Sequence, residues 1–150
     1  MNTLHPTVHV KRTNPDAPMP KFARSGDAGV DLTTMETVTI APHETVLVGT
    51  GIAMAIPKLF EGTIRPRSGM AAKRGVTLAN TPSTIDSNYR GEIMLPLHNI
   101  TNESVTVEKG ERVAQLLIKV QPVPMFVEVD ELDETERGTS NFGSSGYGRL

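Results

Sequence analysis

The sequence contains no cysteine and no tryptophan, and its 150 residues include only two tyrosines and four phenylalanines. The lack of cysteine excludes disulfide bonds, thiolate catalysis and cysteine-based zinc sites. The formal net charge is -2, so bulk charge gives no reason to expect nucleic-acid or membrane binding. No apolar run approaches the roughly 20 residues that span a bilayer, and the first residues do not resemble a signal peptide. We therefore expect a soluble, cytoplasmic protein.

Glycine and proline are frequent, with 13 and 11 residues, and they divide the chain into short segments. Such punctuation favours short strands over long helices. Alternating and β-branched patterns predict strands over residues 7–12, 30–34, 36–40, 44–56, 61–67 and 125–129. A hairpin is expected over residues 103–120, with its turn at Lys109 and Gly110. The pattern as a whole predicts an all-β barrel or sandwich.

One short helix is expected over residues 68–75, where Ser68 would cap the first amides and Gly75 would end the helix. Arg67, Ser68 and Gly69 lie where a strand leads into this helix. Free amides, the helix dipole and a guanidinium group at such a point suit an anion. An ordinary helix cap beside a solvated arginine is the alternative.

Several other polar residues stand in apolar or turn contexts. Asp86 and Tyr89 share a turn, where the aspartate could simply bond local amides and the tyrosine could pack on a neighbour. Asp31 could bridge an arginine or help to hold a hard cation. Gln115 on an apolar strand needs a hydrogen-bond partner, and Arg112 could be an ion-pair partner.

From about Asp130 the chain becomes acidic and then rich in glycine and serine, without a periodic apolar face. That composition predicts a flexible C-terminal arm rather than part of the core. The arm nevertheless contains Arg137, the ring of Phe142, and two hydroxyls at Ser144 and Ser145. These residue types suit a lid that folds over a phosphorylated aromatic ligand.

Five segments together resemble, in order and spacing, the five motifs of the homotrimeric dUTPase family. They are SGDAGVDL, RPRSGMA, STIDSNYRGEI, KGERVAQLLI and RGTSNFGSSG, and the match runs from about residue 21 to residue 147. Two places depart from the family pattern. Ser83 stands where bacterial relatives commonly have glycine, and Ser140 and Asn141 precede Phe142 where the family commonly has glycines.

The resemblance implies a homotrimer of jelly-roll-like β-barrel subunits, each with one short helix, and active sites shared between the subunits. Residues 1–130 would form the dUTPase domain, and residues 131–150 would form a flexible lid arm that completes an active site. The implied reaction converts dUTP and water into dUMP and pyrophosphate, with Mg2+ on the triphosphate. The implied partners are dUTP and two further copies of the chain, with no nucleic acid and no membrane.

The resemblance also implies roles for individual residues. Asp86 would deprotonate the water that attacks the α-phosphorus, and Tyr89 would clash with a ribose 2′-hydroxyl. Asp31 would reach Mg2+ through water. The residues implied to read uracil are Asn80, Thr84, Ile85 and Met94. The residues implied to bind or cover the nucleotide are Arg67, Ser68, Gly69, Gln115, Arg137, Phe142, Gly143, Ser144 and Ser145.

Two other functions remain open at the sequence level. The first is a dCTP deaminase, which resembles dUTPases in fold and carries a catalytic glutamate five residues after the glycine that matches Gly91. That position is Pro96 here, which argues against deamination. The second is a binding or regulatory protein without catalysis, as some relatives of this family are. The filled catalytic positions argue against it.

Overall fold

The computed structural model describes residues 5–141 and 146 of the chain. The elements in chain order are β1 (His9–Arg12), β2 (Val30–Thr33), β3 (Val38–Ile40), β4 (Thr45–Ala55), β5 (Phe60–Pro66), α1 (Ser68–Arg74), β6 (Val76–Leu78), β7 (Ser83–Ile85), β8 (Glu92–Asn99), β9 (Val105–Val107) and β10 (Arg112–Val120). They agree with the predicted strands to within a few residues from β1 to β5, and with the predicted helix.

The strands form two four-stranded sheets and one two-stranded sheet. The order is β1-β4-β8-β6 in the first, β2-β10-β5-β7 in the second and β3-β9 in the third. The paired strands run antiparallel. The predicted all-β class, with one short helix, is confirmed.

The core is built by alternation along strands of both large sheets. On β8, Ile93, Leu95 and Leu97 are at most 1% exposed, whereas Met94 between them is 40% exposed. The buried side chains join those of β4, β5 and β10 in one apolar cluster. Removing this apolar surface from water stabilises the fold by roughly 25 cal/mol per Å2. The burial of one face of each strand also determines which face points outward.

The hairpin predicted over residues 103–120 is wrong in its pairing. The turn itself is present, because the amide of Glu111 donates to the carbonyl of Glu108 at 3.0 Å. The strands on either side of it belong to different sheets, β9 beside β3 and β10 between β2 and β5. A local pattern identifies a strand but not its partner, which long-range packing selects.

Strands β7 and β8 are neighbours in the sequence but do not pair with each other. Strand β7 pairs with β5 in the second sheet, whereas β8 pairs with β4 and β6 in the first. Residues 80–94, which we call the 80–94 segment, therefore cross from one large sheet to the other. The turn at Asp86 lies at this crossing.

Regular structure in the described part of the chain ends at Val120. The strand predicted over residues 125–129 is not formed, and Met125 and Phe126 are 86% and 91% exposed. Apolar side chains on an isolated segment have no sheet edge to pair with and nothing to pack against. No helix in the described ranges is both long and apolar enough to cross a membrane.

Candidate active site

The register of the second sheet brings three of the predicted motifs together. Strand β10 lies between β2 and β5, so Gln115 stands opposite Asp31 on one side and Arg65 on the other. The side-chain amide of Gln115 donates to the carbonyl of Pro66 at 3.0 Å. Since Arg67 follows directly, the end of β5 is held beside β2 and β10.

Asp31 bridges two arginines from different motifs. Its Oδ1 atom lies 2.8 Å from Nε of Arg67, and its Oδ2 atom accepts a hydrogen bond from Nη1 of Arg112 at 3.0 Å. Arg67 also donates from Nη1 to the carbonyl of Arg112 at 3.0 Å. The expected ion-pair partners of Asp31 and Arg112 are thereby identified. These bonds fix the direction in which both guanidinium groups point.

The start of α1 differs in detail from the sequence expectation. Arg67 occupies the N-cap position and Ser68 is the first helical residue, and no side chain caps the helix at that position. The prediction that Ser68 is the cap is therefore wrong, because the helix begins one residue earlier than a serine cap requires. The C-terminal prediction is confirmed, since Gly75 ends α1 with a φ of 63°.

Residues of β2, β10 and the start of α1 surround a cavity of about 540 Å3, which we call the Arg67 pocket. Its lining is Ala23, Arg24, Asp27, Ala28, Gly29, Asp31, Arg67, Ser68, Gly69, Arg112 and Gln115. Three arginines and two aspartates face it, together with the first turn of α1. A Cβ atom at Gly69 would meet nothing within 4 Å, so the helix start is open to a ligand. The pocket suits a polyanion.

A second ion pair holds α1 against the turn before β10. Arg74 donates to the Glu111 carboxylate and to the carbonyl of Thr106. Burial by itself raises the pKa of Glu111. The hydrogen bonds from Arg74 and from the amide of Glu108, with the charges of Arg74 and Arg67, outweigh burial, and the pKa lies below its ordinary value of 4.5. The pair holds the helix whose first residues line the Arg67 pocket.

The 80–94 segment carries the other predicted site residues. Within the described part of the chain, none of its side chains lines the Arg67 pocket. Asp86 instead borders a separate opening of about 470 Å3, together with Lys58, Gln121 and other residues. The amide of Tyr89 donates to the carbonyl of Asp86 at 3.0 Å and closes the turn. One chain therefore holds the predicted site residues in two separate groups.

Side chains of the 80–94 segment remain accessible. Tyr89 and Met94 are 42% and 40% exposed, and the Tyr89 hydroxyl donates to the carbonyl of Glu92 at 2.9 Å. Thr84 and Ile85 lie on β7, opposite Thr63 and Gly62 of β5. The side-chain amide of Asn80 donates to the Ser83 hydroxyl at 3.3 Å, so the serine that departs from the family pattern contacts a predicted base-reading residue.

The C-terminal arm is described only in part. Arg137 is exposed and donates from Nε to the carbonyl of Ser140 at 3.1 Å within a local turn. Phe142, Gly143, Ser144 and Ser145 lie outside the described residues. In the described ranges, no three His, Asp or Glu side chains form a metal-binding group.

Sequence reasoning missed Arg24, Asp27 and Gly29 as pocket residues. The backbone amide of Arg24 donates to Oδ2 of Asp27 at 2.8 Å and closes a turn beside the pocket. A Cβ at Gly29 would lie 3.2 Å from Oε1 of Gln115, so the absence of a side chain there keeps the pocket open. The available signal was their position inside or beside the SGDAGVDL segment.

Comparison with known proteins identifies the family. The dUTPase family profile matches residues 15–146. The deoxyuridine 5′-triphosphate nucleotidohydrolase of Nocardia farcinica is 50% identical over 97% of this chain and 88% of its own length. The enzyme of the same name from Rhodococcus erythropolis is 47% identical over 95% of this chain and 87% of its own length.

Solved structures support the same family assignment. A mutant dUTPase of Staphylococcus bacteriophage 80alpha, solved with dUpNHpp, has a TM-score of 0.85 and 30% sequence identity to this chain. The match covers 94% of this chain and 99% of the phage chain. The profile match covers most of the sequence, and the two bacterial relatives match nearly end to end. The chain belongs to the dUTPase family.

Proposed function

We propose that the chain is a dUTP diphosphatase, which hydrolyses dUTP to dUMP and pyrophosphate. The observation that carries the proposal is the Arg67 pocket, where Asp31 aligns two guanidinium groups beside the open start of α1. Family membership supplies the nucleotide, and the pocket supplies a place for its phosphates.

In this proposal the phosphates bind Arg67, Ser68, Gly69 and Gln115. Arg67 keeps donors available for phosphate oxygens after its bonds to Asp31 and Arg112. Backbone amides at the start of α1 add donors at the positive end of the helix dipole. Both act on the negative charge that the reaction concentrates on the leaving pyrophosphate.

The 80–94 segment would recognise the nucleoside and activate the water. Asp86 would accept the proton of a water that attacks the α-phosphorus. Tyr89 would leave no space for a ribose 2′-hydroxyl, and so would reject UTP. Groups of Asn80, Thr84, Ile85 and Met94 would satisfy the uracil edge. Cytosine would mispair its donors and acceptors there, at roughly 1–3 kcal/mol for each buried unpaired group.

We propose a homotrimer in which each active site takes residues from different chains. In one chain Asp86 borders a separate opening from the Arg67 pocket. A second chain can supply the missing group without any rearrangement of the sheets. The exposed apolar residues after Val120, among them Met125 and Phe126, also fit contact with another copy.

We propose that Mg2+ arrives on the triphosphate and that Asp31 contacts it through water. The donor set fits this limited role, because both oxygens of the Asp31 carboxylate already bond arginines. Mg2+ keeps several waters and is commonly bound by substrate phosphates with one or two carboxylates. When bound, it would neutralise phosphate charge and orient the phosphates.

Residues 1–130 would form the catalytic domain, and residues 131–150 would form an arm that closes over a site. In the closed form Arg137 would contact the γ-phosphate, Phe142 would cover uracil, and Gly143, Ser144 and Ser145 would lie against the phosphates. Closure would exclude water from the reacting centre. We also propose a cytoplasmic location, since deoxynucleoside triphosphates are used inside cells.

The decisive experiment measures pyrophosphate release from dUTP, UTP, dCTP and dTTP, each with Mg2+ and with EDTA. We expect rapid release from dUTP with Mg2+ and little release from the other three nucleotides. Ammonia release from dCTP is measured in parallel, because it would identify a deaminase and overturn the assignment. Absence of release from dUTP by a folded, nucleotide-binding protein would favour a binding role without catalysis.

A further inference from the structure

The ring of Tyr89 lies against a residue that has no side chain. A Cβ atom built on Gly91 would fall 2.7 Å from Cζ and 3.1 Å from Cε2 of Tyr89, and closer still to the hydroxyl oxygen. Ordinary contacts of a Cβ atom begin at about 3.4 Å. The ring therefore occupies space that any L-residue other than glycine would fill.

The hydroxyl of the same ring is also fixed. It donates to the carbonyl of Glu92, the first residue of β8, at 2.9 Å. Glu92 is itself held through its side chain, since Oε1 accepts from the amide of Gly51 at 2.9 Å and Oε2 accepts from the Thr13 hydroxyl at 2.8 Å. A Cβ at Gly49 would lie 2.5 Å from Oε1 of Glu92, so the bond between Oε1 and the Gly51 amide depends on glycine at position 49.

We propose that Gly91 and Glu92 form a seat that fixes the position of the Tyr89 ring and thereby sets the selection of deoxyribose over ribose. The inference rests on the proposed function, in which Tyr89 meets the sugar. Gly91 provides the space for the ring, and the Glu92 carbonyl provides the bond that orients it. Both are positioning residues, because they act through Tyr89.

The seat ties the ring to the first sheet rather than to its own turn. Tyr89 is 42% exposed, and a ring on an exposed turn would otherwise exchange between rotamers. A ring that moves leaves space for a 2′-hydroxyl during part of the time, so steric rejection requires a fixed ring. The bonds from Glu92 to Gly51 and Thr13 anchor the seat to β4 and to the segment after β1.

The main test compares kcat/KM for dUTP with kcat/KM for UTP in wild type and Gly91→Ala. The added Cβ atom must displace the Tyr89 ring by roughly 1 Å or slightly less. This shift would break the hydrogen bond from the Tyr89 hydroxyl to the Glu92 carbonyl. We expect the dUTP-to-UTP ratio to fall about tenfold or more. Glu36→Gln, which changes an exposed loop residue outside the 80–94 segment, serves as the control and should keep the wild-type ratio.

Three further variants separate the seating of the Tyr89 ring from an effect on folding. Tyr89→Phe keeps the ring on Gly91 and removes only the hydroxyl bond, so we expect a smaller fall in the ratio, about threefold. Glu92→Ala removes both anchoring bonds of the seat, whereas Glu92→Gln keeps an acceptor for Gly51. The ratio should fall in Glu92→Ala and recover in Glu92→Gln. A purely structural role would lower thermal stability in both without changing the ratio.

The position of the Tyr89 ring can also be probed by fluorescence, independently of enzymatic activity. The chain has two tyrosines and no tryptophan, so Tyr147→Phe leaves Tyr89 as the only tyrosine. In that background Gly91→Ala should change the intensity and acrylamide quenching of tyrosine fluorescence. Unchanged fluorescence together with a ratio within twofold of wild type would overturn the seat. Lack of dUTP hydrolysis by the wild-type protein would instead contradict the proposed function.

Discussion

The Arg67 pocket and the 80–94 segment differ in how completely one chain assembles them. In the pocket, the register of β10 against β2 and β5 places Gln115 beside Asp31, and ion pairs fix both arginines. In the 80–94 segment, Asp86 and Tyr89 are held on a crossing between sheets, and Asp86 borders a different opening. In the proposed mechanism, one folded chain therefore supplies the phosphate-binding groups, whereas catalysis would require a second chain.

This difference agrees with the physical demands of the two tasks. A polyanion binds to aligned donors and positive charge, which a single sheet edge with a helix start can provide. Water attack needs a base at one defined position relative to the phosphorus. In the proposed trimer an interface between chains would supply that position, and it would couple activity to assembly.

The largest expected effect comes from removing the base. Asp86→Asn should lower kcat for dUTP by about 10²- to 10⁴-fold, because a positioned general base contributes that range. The pocket is unchanged in this variant, so a non-hydrolysable imido analogue of dUTP should bind with wild-type affinity in calorimetry. Glu36→Gln, which removes an exposed carboxylate from a loop, is the control. Near-normal turnover in Asp86→Asn would exclude this residue as the base.

Mixing two inactive variants tests whether the two regions act across chains. Asp86→Asn and Arg67→Ala chains, unfolded and refolded together in equal amounts, should regain about a quarter of wild-type activity if each site takes these residues from different subunits. Each variant refolded alone should stay inactive. No recovery in trimers shown by mass spectrometry to be mixed would mean that both residues act from the same chain.

Truncation before Arg137 should have the next largest effect. The described residues after Val120 are exposed, so we expect the truncated protein to keep its assembly and thermal midpoint. Pyrophosphate release should fall by about 10²-fold or more, since the arm would supply charge and water exclusion to the transition state. Unfolding of the truncated protein would instead assign the arm a structural role.

The sequence predicted strands β1 to β5 well because their signals are local. Alternating and β-branched patterns marked these strands, and residues 68–75 marked α1 to within one residue. Partners were not predictable, since the turn at Gly110 looks the same whether β9 pairs with β10 or with β3. The resemblance identified Asp31, Arg67 and Gln115 as candidates, but their mutual contacts depend on the register of a three-strand arrangement that no local pattern encodes.

Arg112→Ala should have a smaller effect, and it tests whether the pocket is aligned by the Asp31 bridge. The substitution removes the bond to Oδ2 of Asp31 but keeps the backbone carbonyl that accepts from Arg67. We expect KM for dUTP to rise about tenfold with a lesser change in kcat, as for lost ground-state binding. Arg65→Ala, an exposed arginine on β5 outside the pocket lining, is the control. An unchanged KM would show that Arg67 is positioned without this bridge.

The smallest expected effect is on stability, and it concerns the ion pair between Arg74 and Glu111 that holds α1 against the turn before β10. Because the pKa of Glu111 is lowered in the folded state, its contribution to stability is complete above its ordinary value of 4.5. The contribution is lost as the pH falls below 4.5 and through the lower folded-state pKa. Glu111→Gln should therefore lower the thermal midpoint by a few degrees at pH 7, for about 1 kcal/mol or less in a partly exposed pair. The difference should shrink as the pH falls below 4.5, and a constant difference across this range would show that packing, not charge, holds α1 against the turn.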